Sequence, residues 1–189
     1  FDNNTPILNV NDGLIDTSGY DNHGTAYGTP FAYGEEGIDG YSASFTNTNN
    51  RVYVEDDNSL DFSTYEFSIS AWVKPDTISG DEVIVSKGVS GGGCTGAWYS
   101  LQYNSNYWQF QLSGDHLTYN EEPETGQWTH IVIVRNTSGS FHEISLYLDG
   151  IHKMSQAVSI KNLDNCQHVY FGSQVGGQSF VDHLDGNLD

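Results

Sequence analysis

The chain of 189 residues is strongly acidic: 25 Asp and Glu residues outnumber 6 Lys and Arg, for a formal net charge of −19 at pH 7. This charge would repel phosphate, which excludes nucleic acid and anionic membrane surfaces as favourable partners. No apolar run approaches the roughly 18 residues of a membrane-spanning helix, so we expect no membrane insertion. The acidity fits solubility in a salty or extracellular medium, or partial neutralisation by bound divalent cations.

The composition favours many short strands over long helices, because Gly (21), Tyr (12) and Phe (9) are plentiful. At this length we expect residues 1–189 to form a single domain with a full core. The chain begins Phe-Asp-Asn-Asn, without a signal peptide or initiator Met, and a last strand is entered at Leu188-Asp189 and then cut off. We therefore expect a piece of a longer protein.

The first informative segment in chain order is 16–24, which is rich in oxygen-bearing side chains. It contains Asp16, Ser18, Asp21 and Asn22 together with two glycines and a histidine. Carboxylate and amide oxygens are the ligands that Ca²⁺ prefers, and glycine frees the backbone to fold around a cation. The same pattern is also typical of an Asx-turn, in which Asp16 accepts backbone N–H bonds. The segment by itself leaves both interpretations open.

Apolar alternation at short intervals then predicts about a dozen strands, which is typical of a two-sheet antiparallel sandwich. The clearest runs are 52–54, 67–73, 83–85, 98–103, 108–112, 130–135, 144–148, 151–154, 169–172 and 181–184. Alternation also predicts the core faces of the hairpin that turns at 104–106. Its inward residues are Tyr99, Leu101, Tyr103, Trp108, Phe110 and Leu112.

Cys94 and Cys166 are the two cysteines. In a chain of extracellular character they suggest one disulfide that closes a loop of about 70 residues. Two free, buried thiols are the alternative. Neither the spacing nor the neighbouring residues suit zinc, which is usually bound by clustered Cys and His.

Several strings of residues resemble the laminin G-like, concanavalin A-like lectin/glucanase domains and appear in the order of that family. They are the loop DTSGYDNHG (16–24), FSISAWVKP (67–75), WTHI (128–131), LYLDG (146–150) and the terminal LDGNLD (184–189). The resemblance runs nearly end to end. It implies an all-β fold, a two-sheet antiparallel jelly-roll sandwich.

The resemblance also implies a structural Ca²⁺ between the first loop and the last strand. Carried over residue by residue, the ligands are the carboxylates of Asp16 and Asp189, the side chain of Asn22, and backbone oxygens near Gly19 and Gly24. Such a site would join the two ends of the domain and would have no catalytic role.

The enzymes of this superfamily are glucanases and lyases, and the sequence favours neither. A jelly-roll glucanase carries two Glu and an Asp alternating on one strand, so that all three face the cleft. Here the acidic clusters 55–57 and 121–124 are contiguous, which indicates solvated loops. A lyase cleft needs basic residues, and six cannot readily supply it. We therefore predict a protein that is not an enzyme.

A candidate ligand-binding face lies opposite the predicted core faces. Aromatic rings stack on sugars while amides bond their hydroxyls, and this face carries both. Its residues are Trp72, Trp98, Gln102, Tyr107, Gln109 and Gln111. The alternative is that Trp72 or Trp98 is a second-layer core residue covered by a loop, and the loops 104–106, 114–116 and 174–178 are equally legitimate sites.

These observations lead to a non-catalytic, calcium-stabilised carbohydrate-binding module of a larger secreted or cell-surface protein, with a polysaccharide or glycan as its ligand. The alternative is a structural or protein-binding domain of an extracellular adhesin or surface filament, with another extracellular protein as partner. A third and less favoured alternative is an atypical glycoside hydrolase or polysaccharide lyase.

Overall fold

The computed structural model describes residues 14–28, 32–46, 50–88, 97–176 and 179–189. Within these ranges the chain forms sixteen strands and one short 3-10 helix, Asn58–Leu60. The strands are β1 (Gly24–Tyr27), β2 (Ala32–Glu36), β3 (Tyr41–Thr46), β4 (Arg51–Val54), β5 (Phe67–Pro75), β6 (Glu82–Lys87), β7 (Tyr99–Asn104), β8 (Tyr107–Leu112), β9 (Asp115–Tyr119), β10 (Thr129–Ser138), β11 (Phe141–Leu148), β12 (Ile151–Val158), β13 (Val169–Phe171), β14 (Gln174–Gly176), β15 (Ser179–Val181) and β16 (Asp185–Leu188).

Two seven-stranded antiparallel sheets pack face to face. The front sheet has the order β1-β4-β13-β6-β7-β8-β9, and the back sheet has the order β12-β11-β10-β5-β16-β3-β2. β14 and β15 form a separate hairpin. Non-consecutive neighbours such as β4-β13 and β5-β16 show that the chain repeatedly crosses between the sheets. The predicted two-sheet antiparallel jelly-roll sandwich is confirmed.

The core lies between the inner faces of the two sheets, and it contains the residues that alternation predicted. Leu101, Phe110 and Trp108 of the front sheet are at most 1% exposed. Ile131, Ile133 and Leu146 of the back sheet are fully buried. Because a strand places successive side chains on opposite faces, the intervening residues of β7 and β8 must lie on the outer face.

β6 is buried along its whole length and carries two charged residues at its ends. Glu82 accepts hydrogen bonds from the backbone N–H groups of Ser79 (3.0 Å) and Asp185 (2.9 Å), and burial raises its pKa. Lys87 Nζ lies 2.9 Å from Asp56 Oδ1 and 2.6 Å from Asp61 Oδ1. These partners make the burial of two ionisable groups tolerable.

The C-terminal strands differ from the prediction. The run 181–184 was expected to be a strand, but Ser179–Val181 pairs with β14 and the next strand begins at Asp185. β16 pairs with both β3 and β5, so it lies inside the back sheet. Gly186 allows β16 to lie this close to β5, because it has no Cβ. A Cβ at this position would lie 2.3 Å from the carbonyl oxygen of Lys74.

No helix among the described residues is long and apolar enough to cross a membrane.

Candidate functional site

The outer face of the front sheet carries a row of seven residues, one from each strand. The register places them side by side in the order Thr25, Tyr53, Tyr170, Ser86, Ser100, Gln111 and His116. The middle of the row is covered, because Ser86 and Ser100 are at most 1% exposed and Ser86 Oγ donates to the carbonyl of Ser173 (2.9 Å). The two ends of the row are therefore separate surfaces.

A pocket of about 250 Å³ lies at the β8–β9 end of the row. Its lining residues are Trp98, Gln109, Gln111, Gly114, Asp115 and His116. Three of these were predicted as ligand-binding residues from alternation alone, and the structure brings them together in one concave site.

Trp98 is half-buried and held from both sides. The tight turn between β8 and β9 consists of Ser113 (φ 41°) and Gly114 (φ 94°), and Trp98 N–H donates to Ser113 Oγ (2.7 Å). On the other side Asn165 Nδ2 donates to the carbonyl of Ala97 (3.0 Å). Gly88 packs against the tryptophan, since a Cβ at this position would lie 3.0 Å from Trp98 Cβ. These contacts fix the backbone of Trp98 at the edge of the pocket.

The side chains of Gln102, Gln109 and Gln111 form a hydrogen-bonded chain at the pocket. Gln109 Oε1 accepts from Gln102 Nε2 (3.3 Å) and from Gln111 Nε2 (2.6 Å). Gln109 Nε2 in turn donates to Thr118 Oγ1 (2.8 Å). Gln102 is only 1% exposed, so it supports the other two amides and does not itself line the pocket. Gln109 and Gln111 are half-buried with fixed orientations, which suits them to bind hydroxyl groups.

Asp115 lines the pocket at the start of β9, but it pairs with the core residue Leu112, so its side chain lies on the inner-face side of the strand. Ser159 Oγ donates to Asp115 Oδ2 (2.7 Å), and Lys161 Nζ lies 3.6 Å from the same oxygen. The Ser159 hydrogen bond, with a further contribution from Lys161, lowers the pKa of Asp115 below its ordinary value. Asp115 is therefore ionised at neutral pH, and its carboxylate is directed at Ser159 and Lys161, on the opposite face of β9 from the exposed side chain of His116.

Two predicted ligand-binding residues lie away from this pocket. Trp72 is on the outer face of the back sheet, where its ring stacks on His130 with 4.8 Å between centroids. Tyr107 lies at the opposite end of the β7–β8 hairpin, where its hydroxyl donates to Asp81 Oδ1 (3.0 Å). The structure thus divides the predicted ligand-binding set among three places.

Loop 16–24 is organised around the carboxylate of Asp16. Asp16 accepts from Ser18 N–H (2.8 Å), Ser18 Oγ (2.8 Å) and Asn22 N–H (2.9 Å). These hydrogen bonds, those of Ser18 first, lower the pKa of Asp16. The Asx-turn that the sequence left open is therefore present. His23 also stabilises the loop, because its Nδ1 accepts a hydrogen bond from Asp16 N–H (3.0 Å).

The other predicted calcium ligands are distributed around this loop. Asn22 Nδ2 donates to Ser59 Oγ (2.8 Å), and the carbonyl of Gly24 accepts from Leu14 N–H (2.8 Å). Gly19 adopts a φ of 94° in the exposed part of the loop. Asp189 Oδ2 accepts from the N–H groups of Ile38 (2.6 Å) and Asp39 (3.0 Å).

Asp39 connects these two regions. It lines a pocket of about 580 Å³ together with Asp16 and Asn22, and its N–H reaches Asp189. Within the ranges that the structure describes, no group of three or more His, Cys, Asp or Glu side chains is placed to hold a metal ion. Any cation here would have to be bound largely by carbonyl, amide and water oxygens.

The predicted disulfide involves a residue outside the described ranges. Cys94 lies in the segment 89–96, and Cys166 is an exposed residue of the segment between β12 and β13. The pairing remains a prediction.

Sequence reasoning missed the other end of the row on the front sheet. There Arg51 stacks over the ring of Tyr27 at 3.8 Å, and the rings of Tyr53 and His168 are 5.5 Å apart. Alternation within β4 would have placed Arg51 and Tyr53 on one face. Their proximity to His168, more than a hundred positions away, depends on the crossover that brings β13 beside β4.

The acidic cluster 121–124 lines a third pocket, of about 320 Å³, with Trp128 and Asp149. Glu121 is paired with Lys153 (3.1 Å) and accepts from Tyr119 Oη (3.1 Å). The three glutamates of the cluster are exposed, as expected for a loop.

The chain belongs to the concanavalin A-like lectin/glucanases superfamily, whose family model matches residues 46–189. No curated protein sequence is similar enough to count as a match.

Solved structures with low sequence identity share the fold. The chain is similar to domain 4 of AbnA, a GH43 extracellular arabinanase from Geobacillus stearothermophilus, solved in complex with arabinotriose. The identity is 20%, the TM-score is 0.68, and the match covers 94% of this chain and 84% of that one. It is also similar to the CBM40 of the Ruminococcus gnavus IT-sialidase bound to α2,3-sialyllactose, at 11% identity, a TM-score of 0.56, and coverage of 66% and 74%. A putative carbohydrate binding protein from Bacteroides ovatus matches at 16% identity and a TM-score of 0.61, over 78% of this chain and 41% of its own.

Proposed function

We propose that this chain is a non-catalytic carbohydrate-binding module of a larger secreted or cell-surface protein. The observation that carries the proposal is the pocket in which the half-buried Trp98 meets the ordered amides of Gln109 and Gln111. An aromatic plane can stack on the apolar face of a pyranose or furanose ring. Amides that are already oriented bond the ring hydroxyls without a large ordering cost.

The comparisons support the same class of ligand. Domain 4 of the arabinanase was solved with arabinotriose and the sialidase CBM40 with sialyllactose. The arabinanase is described as extracellular, in agreement with the proposed location outside the cell.

The lining of the pocket supports binding over hydrolysis. A glycosidase needs two carboxyl groups about 5–10 Å apart across the bond it cleaves. Among the described residues that line the pocket, Asp115 is the one with a carboxylate. We therefore expect no release of reducing sugar from any polysaccharide that the protein binds.

Replacement of the tryptophan tests the site. Retardation of the protein in gels that contain arabinan, β-glucan, galactan or xylan would identify a bound polysaccharide. Trp98→Ala is then expected to weaken binding roughly thirtyfold, the effect of about 2 kcal/mol, because the stacking surface is lost. Trp72→Ala, on the opposite sheet, serves as the matched control and should leave binding unchanged.

The outcomes separate the alternatives. If no glycan retards the protein, carbohydrate binding is wrong. If Trp72→Ala weakens binding and Trp98→Ala does not, the ligand site lies on the back sheet instead.

The outer face of the back sheet favours a second candidate function, the binding of another extracellular protein. Beside the Trp72–His130 stack, the rings of Tyr147 and His152 are 5.1 Å apart, and His130 Nε2 lies 2.8 Å from Ser70 Oγ. This face is partly aromatic. Loss of a protein partner on Trp72→Ala with intact glycan binding would support it.

We also propose that loop 16–24 binds a structural Ca²⁺. The donors fit this ion in kind, because Asp16 is ionised and the carboxylates of Asp39 and Asp189, the side chain of Asn22 and the carbonyls of Gly19 and Gly24 are all hard oxygens. Bound there, the ion would hold the loop against the turn at 37–40, which already contacts Asp189.

A disulfide between Cys94 and Cys166 belongs to the same proposal. It would link the segment 89–96 to the segment between β12 and β13, in which Asn165 bonds the carbonyl of Ala97 next to Trp98. Peptide mapping without reductant would show the linked peptides, whereas two alkylated cysteines would contradict it.

A further inference from the structure

We propose that the front sheet carries a second glycan-binding surface at its β1–β4 edge, so that the module binds one polysaccharide at two places. This tyrosine surface consists of Tyr27, Arg51, Tyr53, His168 and Tyr170. The inference rests on the proposed function, because it assigns a second site for the same class of ligand on the same sheet.

The five side chains lie on the outer face of the front sheet. A strand places successive side chains on opposite faces, and the residues that alternate with these five along β4 and β13 belong to the core. They are Val52, Val54 and Val169, which are at most 8% exposed. The register pairs Tyr27 with Arg51 and Tyr53 with Tyr170, and paired residues share a face. The tyrosine surface therefore lies on the face that carries the pocket at its opposite edge.

Tyr27 provides an exposed aromatic plane. The guanidinium carbon of Arg51 lies 3.8 Å from the centre of its ring, and Arg51 is 7% exposed whereas Tyr27 is 52% exposed. The buried cation therefore contacts one face of the ring and leaves the other face open to solvent. A ring held in this way can stack on the apolar face of a sugar at a small ordering cost.

Hydrogen-bonding groups lie beside this plane. Tyr53 and His168 are half-buried, and their ring centroids are 5.5 Å apart. His168 Nδ1 accepts from the backbone N–H of Asp56 (3.1 Å), so the neutral imidazole carries its proton on Nε2, where it is a donor. The ring of Tyr170 meets that of His168 edge to face at 6.1 Å and supports it from within the sheet. The hydroxyl of Tyr53 and the N–H of His168 are suited to bond the hydroxyls of a sugar stacked nearby.

The distance between the two sites favours a long glycan. Neighbouring strands are about 4.8 Å apart, so the two edges of the seven-stranded sheet are about 29 Å apart. A polysaccharide can contact the pocket and the tyrosine surface at once, whereas a trisaccharide is too short to do so. Two weak contacts with one polymer give an avidity about a hundredfold or more above the affinity of either site.

Titration with a trisaccharide counts the sites. The probe is the trisaccharide of the sugar whose polymer retards the protein most strongly in the gel panel, which is arabinotriose if that polymer is arabinan. Calorimetry should show two sites per chain in the unchanged protein, one in Tyr27→Ala and one in Trp98→Ala. Tyr27→Phe keeps the aromatic plane, so both sites should remain.

Retardation by the polysaccharide shows whether the two sites act together. Tyr27→Ala should weaken polysaccharide binding about tenfold or more, because the avidity is lost. Tyr41→Ala is the matched control, since Tyr41 is 51% exposed but lies on β3 of the back sheet, and it should leave retardation unchanged. The double variant Tyr27→Ala/Trp98→Ala should not be retarded.

The outcomes distinguish this inference from the proposed function. A single trisaccharide site that disappears in Trp98→Ala overturns the tyrosine surface, while the proposed function stands. A single site that disappears in Tyr27→Ala and persists in Trp98→Ala supports the tyrosine surface and contradicts the role of the pocket. The absence of binding to every glycan contradicts both. Tyr53→Ala is read in the same two assays, so a failure of Tyr27→Ala to fold does not prevent the test.

Discussion

At the scale of single residues, the buried ring of His142 links the stability of the protein to pH. It lies in β11 and is 1% exposed, and its Nδ1 is buried without a hydrogen-bond partner among the described residues. Burial and, next, the positive charge of Arg135 lower the pKa of His142 below its ordinary value. The imidazole is therefore held neutral in the folded protein.

His142 is expected to make the protein less stable below about pH 6.5, the ordinary pKa of histidine. The unfolded chain takes up a proton there while the folded one does not, so the unfolding free energy falls with pH until the lowered folded pKa is reached. The slope from this group is at most about 1.4 kcal/mol per pH unit. Urea unfolding between pH 5 and pH 7.5 measures it.

The effect should be specific to this ring. His142→Gln should flatten the pH dependence in that interval, whereas His116→Gln, at an exposed position, should not. An identical slope in His142→Gln and in the unchanged protein would show that other groups cause the acid sensitivity.

At the scale of elements, Arg135 of β10 holds two connecting segments to the back sheet. Its guanidinium is fully buried and donates to the carbonyls of Phe62 (3.2 Å), Ser63 (3.0 Å), Tyr65 (2.9 Å) and Lys161 (3.4 Å). The ring of Phe67 lies 4.7 Å from the guanidinium carbon. Burial lowers the pKa of Arg135 to about 10, so the group remains charged at neutral pH. One side chain thus connects the turn 62–65, and the segment around Lys161 that follows β12, to the same strand.

Arg135→Met should lower the unfolding free energy by about 2–4 kcal/mol, since the variant leaves several carbonyls without their donor. Amide exchange should also accelerate in 62–65 and 161–163 before it does so in β10. Lys153→Met, which removes a partly exposed pair with Glu121, should cost less than about 1 kcal/mol. Equal losses in the two variants would mean that Arg135 is not the connection between these elements.

At the scale of the whole molecule, removal of Ca²⁺ should lower the melting temperature. A ligand at about 100 times its dissociation constant stabilises by about 2.7 kcal/mol, which corresponds to about 5–10 °C for a domain of this size. A thermal scan in EDTA, followed by addition of Ca²⁺, measures this shift.

The variants must separate metal binding from the hydrogen bonds of the loop. Asp16→Asn also weakens the Asx-turn, so the informative quantity is the change in melting temperature on adding Ca²⁺ to each variant. That change should disappear in Asp16→Asn and persist in Glu124→Gln, an exposed residue of the loop before β10. A melting temperature that is insensitive to EDTA in the unchanged protein would show that hydrogen bonds alone hold loop 16–24.

Most of the fold could be predicted because its signals are local. The inward faces of β7 and β8 follow from a period of two residues, which Leu101 and Phe110 obey. The boundaries of β15 and β16 could not be predicted in this way. They depend on where Gly186 meets the backbone of β5, a contact between positions more than a hundred residues apart.

The sequence by itself determined the sandwich, its core and the outward direction of Trp98, Gln109 and Gln111. Only the tertiary structure decided that β9 brings His116 to their pocket, that Ser159 and Lys161 hold the carboxylate of Asp115, and that Trp72 belongs to the other sheet. Alternation determines on which side of its own strand a residue lies. It cannot determine which strands become neighbours, because strand pairing depends on crossovers and on the burial of both sheets together.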